Sequence, residues 1–303
     1  MSDRFSEQML GLVRREGLPE DYAETVTRFL RPLGRCIAEM TGRPRPVIVG
    51  VSGAQGSGKS TLAAFLKMIL EVDHRRRAVV LSLDDLYLTR AEREALAAEV
   101  HPLLVTRGVP GTHDVVMGMR TLDRLMTAEA GTRTLIPRFD KARDDRMPRQ
   151  HWDRFAGRPD VILFEGWCVG ALPQREGALT EPLNALERDE DPDGTWRRYV
   201  NRQLATAYPA LFRRIDHLVM LAVPDFGCVR RWRTLQEQKL AQRVGQGTRV
   251  MAAADIERFV MHYERLTRHM LDEMPARADT LLTVDRDHRI SQIILRRGSA
   301  SRL

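Results

Sequence analysis

One glycine-rich segment restricts the fold of this chain more than any other. Residues 53–60 read GAQGSGKS, which matches the pattern G-x-x-x-x-G-K-[ST], and an apolar run at residues 47–51 precedes them. Glycine tolerates backbone angles that other residues resist, so such a loop can turn successive N–H groups inward around phosphate oxygens. Because the loop lies between an apolar segment of strand length and an expected helix at 60–71, it predicts a phosphate-binding loop.

The same segment supplies the side chains that a bound nucleotide needs. Lys59 can reach the β- and γ-phosphates, the Ser60 hydroxyl can ligate Mg²⁺, and Thr61 is expected on the α-phosphate side. The start of the following helix adds free N–H groups and the positive end of its dipole. The loop residues expected to bind the nucleotide are Gly53, Ala54, Gln55, Gly56, Ser57, Gly58, Lys59, Ser60 and Thr61.

The remaining apolar segments predict an α/β fold with three layers. Segments of strand length lie at residues 47–51, 78–83, 161–164, 218–223 and 281–284. They are rich in valine, isoleucine and leucine and do not alternate, which is typical of parallel strands buried on both faces. The stretches between them are long enough for crossover helices, so we expect a parallel sheet flanked by helices.

Four segments predict structure outside this minimal sheet. Residues 20–40 and 255–274 carry apolar side chains at helical spacing, and both indicate amphipathic helices. Residues 86–150 are rich in charge and turn residues, so we expect helical and loop insertions over one edge of the sheet. Residues 187–193 read ERDEDPD and are expected to form a solvated acidic loop.

The composition is that of a soluble globular protein, 43% hydrophobic and 29% charged. No apolar window approaches the ~18 residues of a membrane span and the first residues hold no apolar signal core, so we expect a cytoplasmic protein. Cys36, Cys168 and Cys228 form no metal or disulfide spacing. The net charge of +7 could serve nucleic acid or anionic small molecules, but the arginines are scattered without interleaved aromatics. A nucleic-acid partner is therefore the less favoured interpretation.

Acidic residues follow two of the expected strands. Asp84 and Asp85 come after the segment at 78–83, and Glu165 follows the segment at 161–164. Ligands gather at the carboxyl ends of parallel strands, where the phosphate loop also lies. We interpret Asp84 as the catalytic base, with Asp85 as the alternative, and Glu165 as the acid that orders the metal. A turn cap is the other interpretation of each carboxylate. Lys59, Asp84 and Glu165 are the expected catalytic residues, and Ser60 and Glu165 the expected metal ligands.

An arginine-rich segment follows the strand expected at 218–223. Arg230, Arg231 and Arg233 could form a lid on the phosphates, because a guanidinium forks onto phosphate oxygens. Of these, Arg230 and Arg233 are the expected nucleotide-binding residues. A solvated basic helix face is the alternative. The chain lacks the Asn-Lys-x-Asp element of GTP readout, so ATP with a small acceptor is the favoured pair.

Several blocks of the sequence resemble one family. They read GVSGAQGSGKSTLA, LSLDDLYLT, RGVPGTHD, IPRFDKARDDR, VILFEGW and VRRWRTLQEQKL, and they span residues 47 to about 290. The chain is similar to the uridine-kinase-like P-loop kinases, and within them to the D-glycerate 3-kinases of the plant and fungal type. The resemblance implies a nucleoside-kinase-like P-loop NTPase fold, with an N-terminal helical extension at 1–45 and a P-loop kinase domain at 46–303.

The resemblance also implies an activity and an acceptor pocket. Such kinases are monomeric or weakly associating and move the γ-phosphate of ATP to a small hydroxy acid with Mg²⁺. Arg138 or Lys141 could hold the acceptor carboxylate. His113 as a loop histidine with its own partners, and Asp140 in a structural ion pair, remain alternatives. The residues implied for the pocket are Asp85, Tyr87, His113, Asp114, Arg138, Asp140 and Lys141.

Three functions therefore stay open from the sequence. The favoured one is an ATP- and Mg²⁺-dependent kinase that acts on D-glycerate or a similar hydroxy acid. The second is a nucleoside or pantothenate kinase of the same fold. The third is a nucleotide-gated module that binds nucleic acid or protein, for which the basic charge is the only support.

Overall fold

In the computed structural model, which describes residues 3–243 and 253–296, six strands form one sheet in the order β10-β9-β8-β1-β7-β2. All neighbouring pairs run parallel except β9 and β10. The strands are β1 (Val47–Gly53), β2 (Ala78–Ser82), β3 (Arg133–Ile136), β4 (Phe139–Asp140), β5 (Asp145–Arg146), β6 (Asp153–Ala156), β7 (Val161–Gly166), β8 (His217–Ala222), β9 (Thr280–Val284) and β10 (Ile290–Leu295).

Helices cover both faces of the sheet. They are α1 (Asp3–Arg15), α2 (Tyr22–Thr25), α3 (Arg31–Glu39), α4 (Lys59–Val72), α5 (Arg90–Glu99), α6 (Val115–Thr127), α7 (Ala185–Glu190), α8 (Thr195–Thr206), α9 (Pro209–Phe212), α10 (Phe226–Arg243) and α11 (Ala253–Arg277). A π-helical turn, Val26–Leu30, joins α2 to α3. Short 3₁₀ turns occupy Leu83–Leu86, Pro102–Val105, Arg149–His151 and Glu176–Leu179. Among the described helices, none is long and apolar enough to span a bilayer.

The predicted three-layer α/β fold is confirmed. The five expected strands correspond to β1, β2, β7, β8 and β9, and the expected helices at 20–40, 60–71 and 255–274 are present. The antiparallel edge strand β10 and the small pairs β3–β6 and β4–β5 were not expected. The strands β3 to β6 have at most four residues each, and β10 is mostly exposed or half-buried, so none shows the buried apolar run that identified the parallel strands.

Two cores lie on opposite faces of the sheet. One core lies under α3 and α4 and includes Leu33, Phe65 and Leu66, each without solvent exposure. The other lies under α6, α9 and the second half of α11 and includes Phe164 and Leu211. Burial of apolar side chains on both sides of the parallel strands holds the central sheet rigid, so its carboxyl edge is a fixed base for a site.

The N-terminal helices share a core with the phosphate-loop helix. Phe5, Met9, Leu12 and Val13 of α1 belong to the same buried cluster as the apolar face of α4. Arg31 of α3 adds an ion pair to the end of α4, because its Nε lies 2.8 Å from Asp73 Oδ2. The segment before β1 is therefore packed against the helix that follows the glycine-rich loop.

The expectation of a solvated loop at 187–193 is only partly correct. Residues 187–190 belong to α7, and the Glu187 and Asp191 side chains are completely buried, whereas the other five residues are exposed. Arg265 of α11 donates to Glu187 at 2.6 and 2.7 Å, and Arg197 of α8 donates to Asp191 Oδ2 at 2.9 Å. The local sequence shows only the acidic partners, whereas the arginines that permit burial come from helices distant in sequence.

Loss of the buried partner of Arg197 is expected to destabilise the fold. Asp191→Ala should lower the free energy of unfolding by about 3–5 kcal/mol, because it leaves a buried guanidinium without its carboxylate. Asp189→Ala is the matched control in the same acidic segment, since it removes only an exposed ion pair with Arg188 and should have little effect. Urea unfolding measures both variants. Equal losses would contradict the structural role assigned to Asp191.

Candidate active site at the carboxyl edge of the sheet

The phosphate loop connects the central strand β1 to α4. Gly56 and Gly58 adopt φ values of +76° and +91°, which other L-residues resist, and α4 begins directly after Gly58. The first turn of α4 therefore directs its free N–H groups toward the loop. The residues expected to bind a nucleotide run from Gly53, the last residue of β1, through this loop to Thr61 in the first turn of α4.

Glu165 lies beside the loop serine with one oxygen unsatisfied. Ser60 Oγ donates to Glu165 Oε1 at 3.3 Å, and the carboxyl group is 4% exposed. Glu165 Oε2 is buried without a hydrogen-bond partner in the described part of the chain. Burial raises the pKa of Glu165, and the charge of Asp84 adds to this, while Lys59 opposes it. The Ser60 hydroxyl and both carboxylate oxygens of Glu165 thus form a set of three oxygen ligands, which suits a hard divalent cation.

The candidate magnesium site offers few protein ligands. Within residues 3–243 and 253–296, no three His, Cys, Asp or Glu side chains converge as a metal cluster. Magnesium commonly keeps several waters and binds through one or two carboxylates plus substrate phosphates, so the pair Ser60 and Glu165 is an adequate set for it. These are the two metal ligands expected from the sequence.

Asp84 carries the other carboxylate of the site. It lies in the 3₁₀ turn Leu83–Leu86 that follows β2, and its Oδ2 is 2.7 Å from Lys141 Nζ. The Tyr87 hydroxyl donates to Asp84 Oδ1 at 3.1 Å. Burial favours a higher pKa, but the charges of Lys141 and Lys59 outweigh it and hold the pKa of Asp84 below its ordinary value. The carboxylate is therefore ionised at neutral pH and can accept a proton or orient a hydroxyl.

Asp85 is bound differently from its neighbour. Its Oδ2 accepts from Arg138 Nη1 at 2.8 Å, and its Oδ1 accepts from the Phe139 backbone N–H at 3.0 Å. Arg138 also pairs with Asp153. These bonds attach the segment that carries Lys141 to the end of β2. Asp85 and Arg138 thus lie at the site, with their polar atoms engaged in holding it together.

The remaining residues expected in the acceptor pocket fall into two groups. Asp114 caps α6 through the Met117 N–H at 2.8 Å and pairs with Arg146, and Asp140 accepts from the N–H groups of residues 142 and 143. His113 is 5% exposed and its ring stacks on Tyr87 at 4.6 Å between centroids. Asp114 and Asp140 therefore stabilise local backbone, whereas His113 and Tyr87 form a wall beside Asp84.

The two expected lid arginines lie on α10. Arg230 is exposed, with Nη1 3.5 Å from Glu257 Oε1, and the Arg233 guanidinium lies 5.4 Å above the Phe259 ring. Between them, Trp232 contacts the phosphate loop, because a Cβ on Gly56 would lie 3.2 Å from Trp232 Cβ. The helix that carries the arginines is thus in contact with the loop.

A cavity of about 650 Å³ opens beside the phosphate loop, and the sequence did not predict most of its walls. Thr61 Oγ1 donates to Glu16 Oε2 at 3.3 Å, which links the loop to the end of α1. The Trp232 and His288 rings stack at 4.3 Å between centroids. No motif marks Glu16 or His288; apart from Thr61 of the loop, only the tryptophan inside the arginine block was a usable signal. The lining also includes Leu18, Tyr22, Ser57, Gly58 and Arg286.

A second cavity, of about 840 Å³, lies at the opposite edge of the sheet. Its lining includes Ile48 and Asp216 at the starts of β1 and β8, together with Arg45 and Arg213. Arg45 is bound to Asp216 through both nitrogens of its fork. This cavity is separated from the phosphate loop by the length of β1, so it is distinct from the candidate active site.

The fold and the site define a P-loop kinase. A phosphate loop follows β1, the acid Glu165 lies beside Ser60, and a second acid, Asp84, follows β2. A kinase of Schizosaccharomyces pombe described as uncharacterized, mug58, is 37% identical over 227 residues, covering 72% of this chain and 79% of the relative. The chloroplastic D-glycerate 3-kinase of Arabidopsis thaliana is 30% identical over 264 residues, covering 82% of this chain and 54% of the relative.

A solved structure agrees with these relatives in fold. The D-glycerate 3-kinase of Cryptococcus neoformans superposes with a TM-score of 0.71 at 24% identity, covering 90% of this chain and 98% of that one. No protein-family model matches the chain. The chain belongs to the uridine-kinase-like P-loop kinases, which agrees with the resemblance, and it is an ATP-dependent phosphotransferase.

Glu165→Gln is expected to stabilise the unliganded protein. The pKa of this acid is raised in the fold, so its ionised form lowers stability at neutral pH. The variant should gain about 1 kcal/mol in the free energy of unfolding near pH 7. The gain should shrink as the pH falls toward the ordinary pKa of glutamate, where the folded and unfolded states both take up the proton. Unfolding in urea at several pH values measures it.

Glu187→Gln is the matched control for that experiment. Glu187 is equally buried, but both of its oxygens accept from Arg265, so removal of its charge should destabilise the protein. A loss of stability in Glu165→Gln as well would contradict the conclusion that the Ser60 hydrogen bond and the charge of Lys59 do not offset the burial of the Glu165 carboxylate.

Proposed function

We propose that the protein transfers the γ-phosphate of ATP to a hydroxyl group of a small hydroxy acid, with D-glycerate as the favoured acceptor. The observation that carries the proposal is the ion pair between Asp84 and Lys141, 2.7 Å long, at the edge that holds the phosphate loop. It sets an ionised base beside a cation that suits a carboxylate. The similarity to D-glycerate 3-kinases supports the choice of acceptor.

Lys141 is the better candidate for the acceptor carboxylate. The guanidinium of Arg138 is already engaged by Asp85 and Asp153, whereas Lys141 bonds only to Asp84 among the described residues. An ammonium group has three donors, so Lys141 can keep Asp84 and also bind a substrate carboxylate. Its side chain is 59% exposed, which leaves it open to an incoming acid.

The proposed reaction is a direct in-line transfer without a phosphoenzyme. The loop N–H groups and Lys59 would hold the β- and γ-phosphates, and Asp84 would orient the acceptor hydroxyl and take up its proton as the phosphoryl group transfers. Because the pKa of Asp84 is low, it would act mainly by positioning and accept the proton late. A bound Mg²⁺, held by Ser60 and Glu165, would neutralise charge on the phosphates.

We further propose that the 650 Å³ cavity receives the base and ribose of ATP. It adjoins Ser57, Gly58 and Thr61 of the loop, and its volume is that of a small-molecule site. Arg230 and Arg233 would approach the phosphates from α10, which already contacts the loop through Trp232. Phosphate would then replace Glu257 as the partner of Arg230.

Two substitutions should separate nucleotide use from phosphoryl transfer. Lys59→Ala should lower kcat/KM for ATP about 100-fold or more, because it removes a charge from the transferring phosphates. Asp84→Asn should retain ATP affinity and lose kcat by about 10²–10⁴-fold. Lys67→Ala is the control for the first, since Lys67 pairs only with Glu71 on the exposed side of α4. Near-normal transfer by Asp84→Asn would remove Asp84 as the base.

An acceptor panel scored by ADP release tests the choice of substrate. D-glycerate and related small hydroxy acids should stimulate ADP release more than pantothenate or nucleosides. Lys141 lies directly beside Asp84, so its partner carboxylate must be close to the accepting hydroxyl. A nucleoside has no carboxylate, and the carboxylate of pantothenate lies far along the chain from its primary hydroxyl. Lys141→Ala should then raise KM for the acid about tenfold, with KM for ATP unchanged. Preference for a nucleoside or pantothenate would overturn the hydroxy-acid proposal. Salt-sensitive binding to DNA or RNA without ADP release would favour the nucleic-acid module.

A further inference from the structure

Tyr208 makes a directional contact with His113 that the sequence did not predict. Tyr208 lies between α8 and α9 and is completely buried. The Gly111 N–H donates to the Tyr208 hydroxyl oxygen at 2.9 Å, and that oxygen lies 2.5 Å from His113 Nδ1. A phenol has one hydrogen, and His113 Nδ1 is the one acceptor within hydrogen-bond distance of the Tyr208 hydroxyl among the described residues. This arrangement favours donation of the hydroxyl hydrogen to His113 Nδ1.

The ring of His113 is neutral and carries its proton on the other nitrogen. Burial lowers the pKa of His113 to about 3, and Asp84 opposes this to a smaller extent. Since Nδ1 accepts from Tyr208, the single proton of the neutral ring resides on Nε2. His113 Nε2 is buried and has no hydrogen-bond partner within the described residues. A buried donor without a partner destabilises a fold unless a ligand completes it.

The position of the ring indicates what would complete it. His113 stacks on Tyr87 and pairs with it in an isolated β-bridge, and the Tyr87 hydroxyl donates to Asp84. The ring thus lies next to the turn that carries the carboxylate assigned as base. Phe139 packs edge-on against Tyr87 at 5.3 Å between centroids and holds this wall in place.

We propose that Tyr208 is a positioning residue that fixes His113 as an Nε2–H donor to an oxygen atom of the phosphoryl acceptor. The inference rests on the proposed function, because it needs an acceptor bound beside Asp84. A fixed N–H donates to a carboxylate or hydroxyl oxygen and disfavours a group that can only donate. The orientation of this one proton would therefore select for acceptors that present an oxygen atom beside Asp84.

The tautomer can be observed without any substrate. Nitrogen-15 NMR of the unliganded protein distinguishes the two neutral forms of histidine, and the His113→Gln variant identifies the His113 signals among the eight histidines. We expect the Nε2–H form in the wild type and a mixture or a reversal in Tyr208→Phe. A wild-type ring protonated at Nδ1, or an unchanged signature in Tyr208→Phe, would overturn the inference.

Kinetics test the consequence for the acceptor. Tyr208→Phe should raise KM for D-glycerate about tenfold, with a smaller change in kcat and none in KM for ATP. Tyr199→Phe is the matched control on α8, since the Tyr199 ring also lies beside Gly111 but its hydroxyl makes no bond to His113. An unchanged KM for the acceptor in Tyr208→Phe, or an equal rise in KM for ATP, would overturn the inference.

A second pair of variants avoids dependence on the packing of Tyr208. His113→Leu should raise KM for the acceptor as Tyr208→Phe does, whereas His113→Gln retains a neutral N–H donor and should recover part of the affinity. Equal KM values for these two variants would count against the donor. Failure of the wild type to phosphorylate any hydroxy acid would reject the proposed function, and the NMR signature would still decide the tautomer.

Discussion

The hydrogen-bond register of three parallel strands determines where the chemical groups of the site lie. Glu165 of β7 pairs with Val51 of β1 on one side and with Ser82 of β2 on the other. The phosphate loop starts just beyond Val51, and Asp84 follows Ser82 by two residues. The polar residues that end or follow these three strands therefore lie side by side at the carboxyl edge of the sheet. A shift of one residue in this pairing would turn Glu165 to the opposite face and separate it from Ser60.

Electrostatics then divide the two carboxylates into different states. Asp84 lies against Lys141 and is held ionised, whereas Glu165 is buried more deeply and retains an oxygen without a hydrogen-bond partner among residues 3–243 and 253–296. Carboxylates whose environments push their pKa values apart are suited to different tasks. This contrast agrees with the proposed roles of base for Asp84 and metal ligand for Glu165.

Much of this arrangement follows from the sequence because parallel strands leave a clear local signal. Unbroken apolar runs predicted five strands of the main sheet, and the acids that follow two of them predicted Asp84 and Glu165 as site residues. The loop motif predicted Lys59 and Ser60 as site residues. Each of these predictions needs only the rule that strand ends meet at one edge.

The remainder depends on contacts between distant segments. Tyr208 is 95 residues from His113, and Glu16 is 45 residues from Thr61, so no local pattern relates them. Glu187 and Asp191 resemble solvated acids until the arginines of α8 and α11 are located. Asp85 and Asp114 have the residue types of an acceptor pocket, yet their hydrogen bonds to backbone and arginine appear only in three dimensions.

The shared core of α1 and α4 has a consequence for how the protein opens. Phe5, Leu12 and Phe65 belong to one buried cluster, so α1 cannot detach without exposing the apolar face of the helix that begins at the phosphate loop. Segments that share a core tend to unfold as one cooperative unit. A nucleotide bound by the loop would therefore slow amide exchange in α1. By linkage, a substitution that destabilises the packing of α1 would weaken nucleotide binding, and the coupling free energy would be the same in both directions.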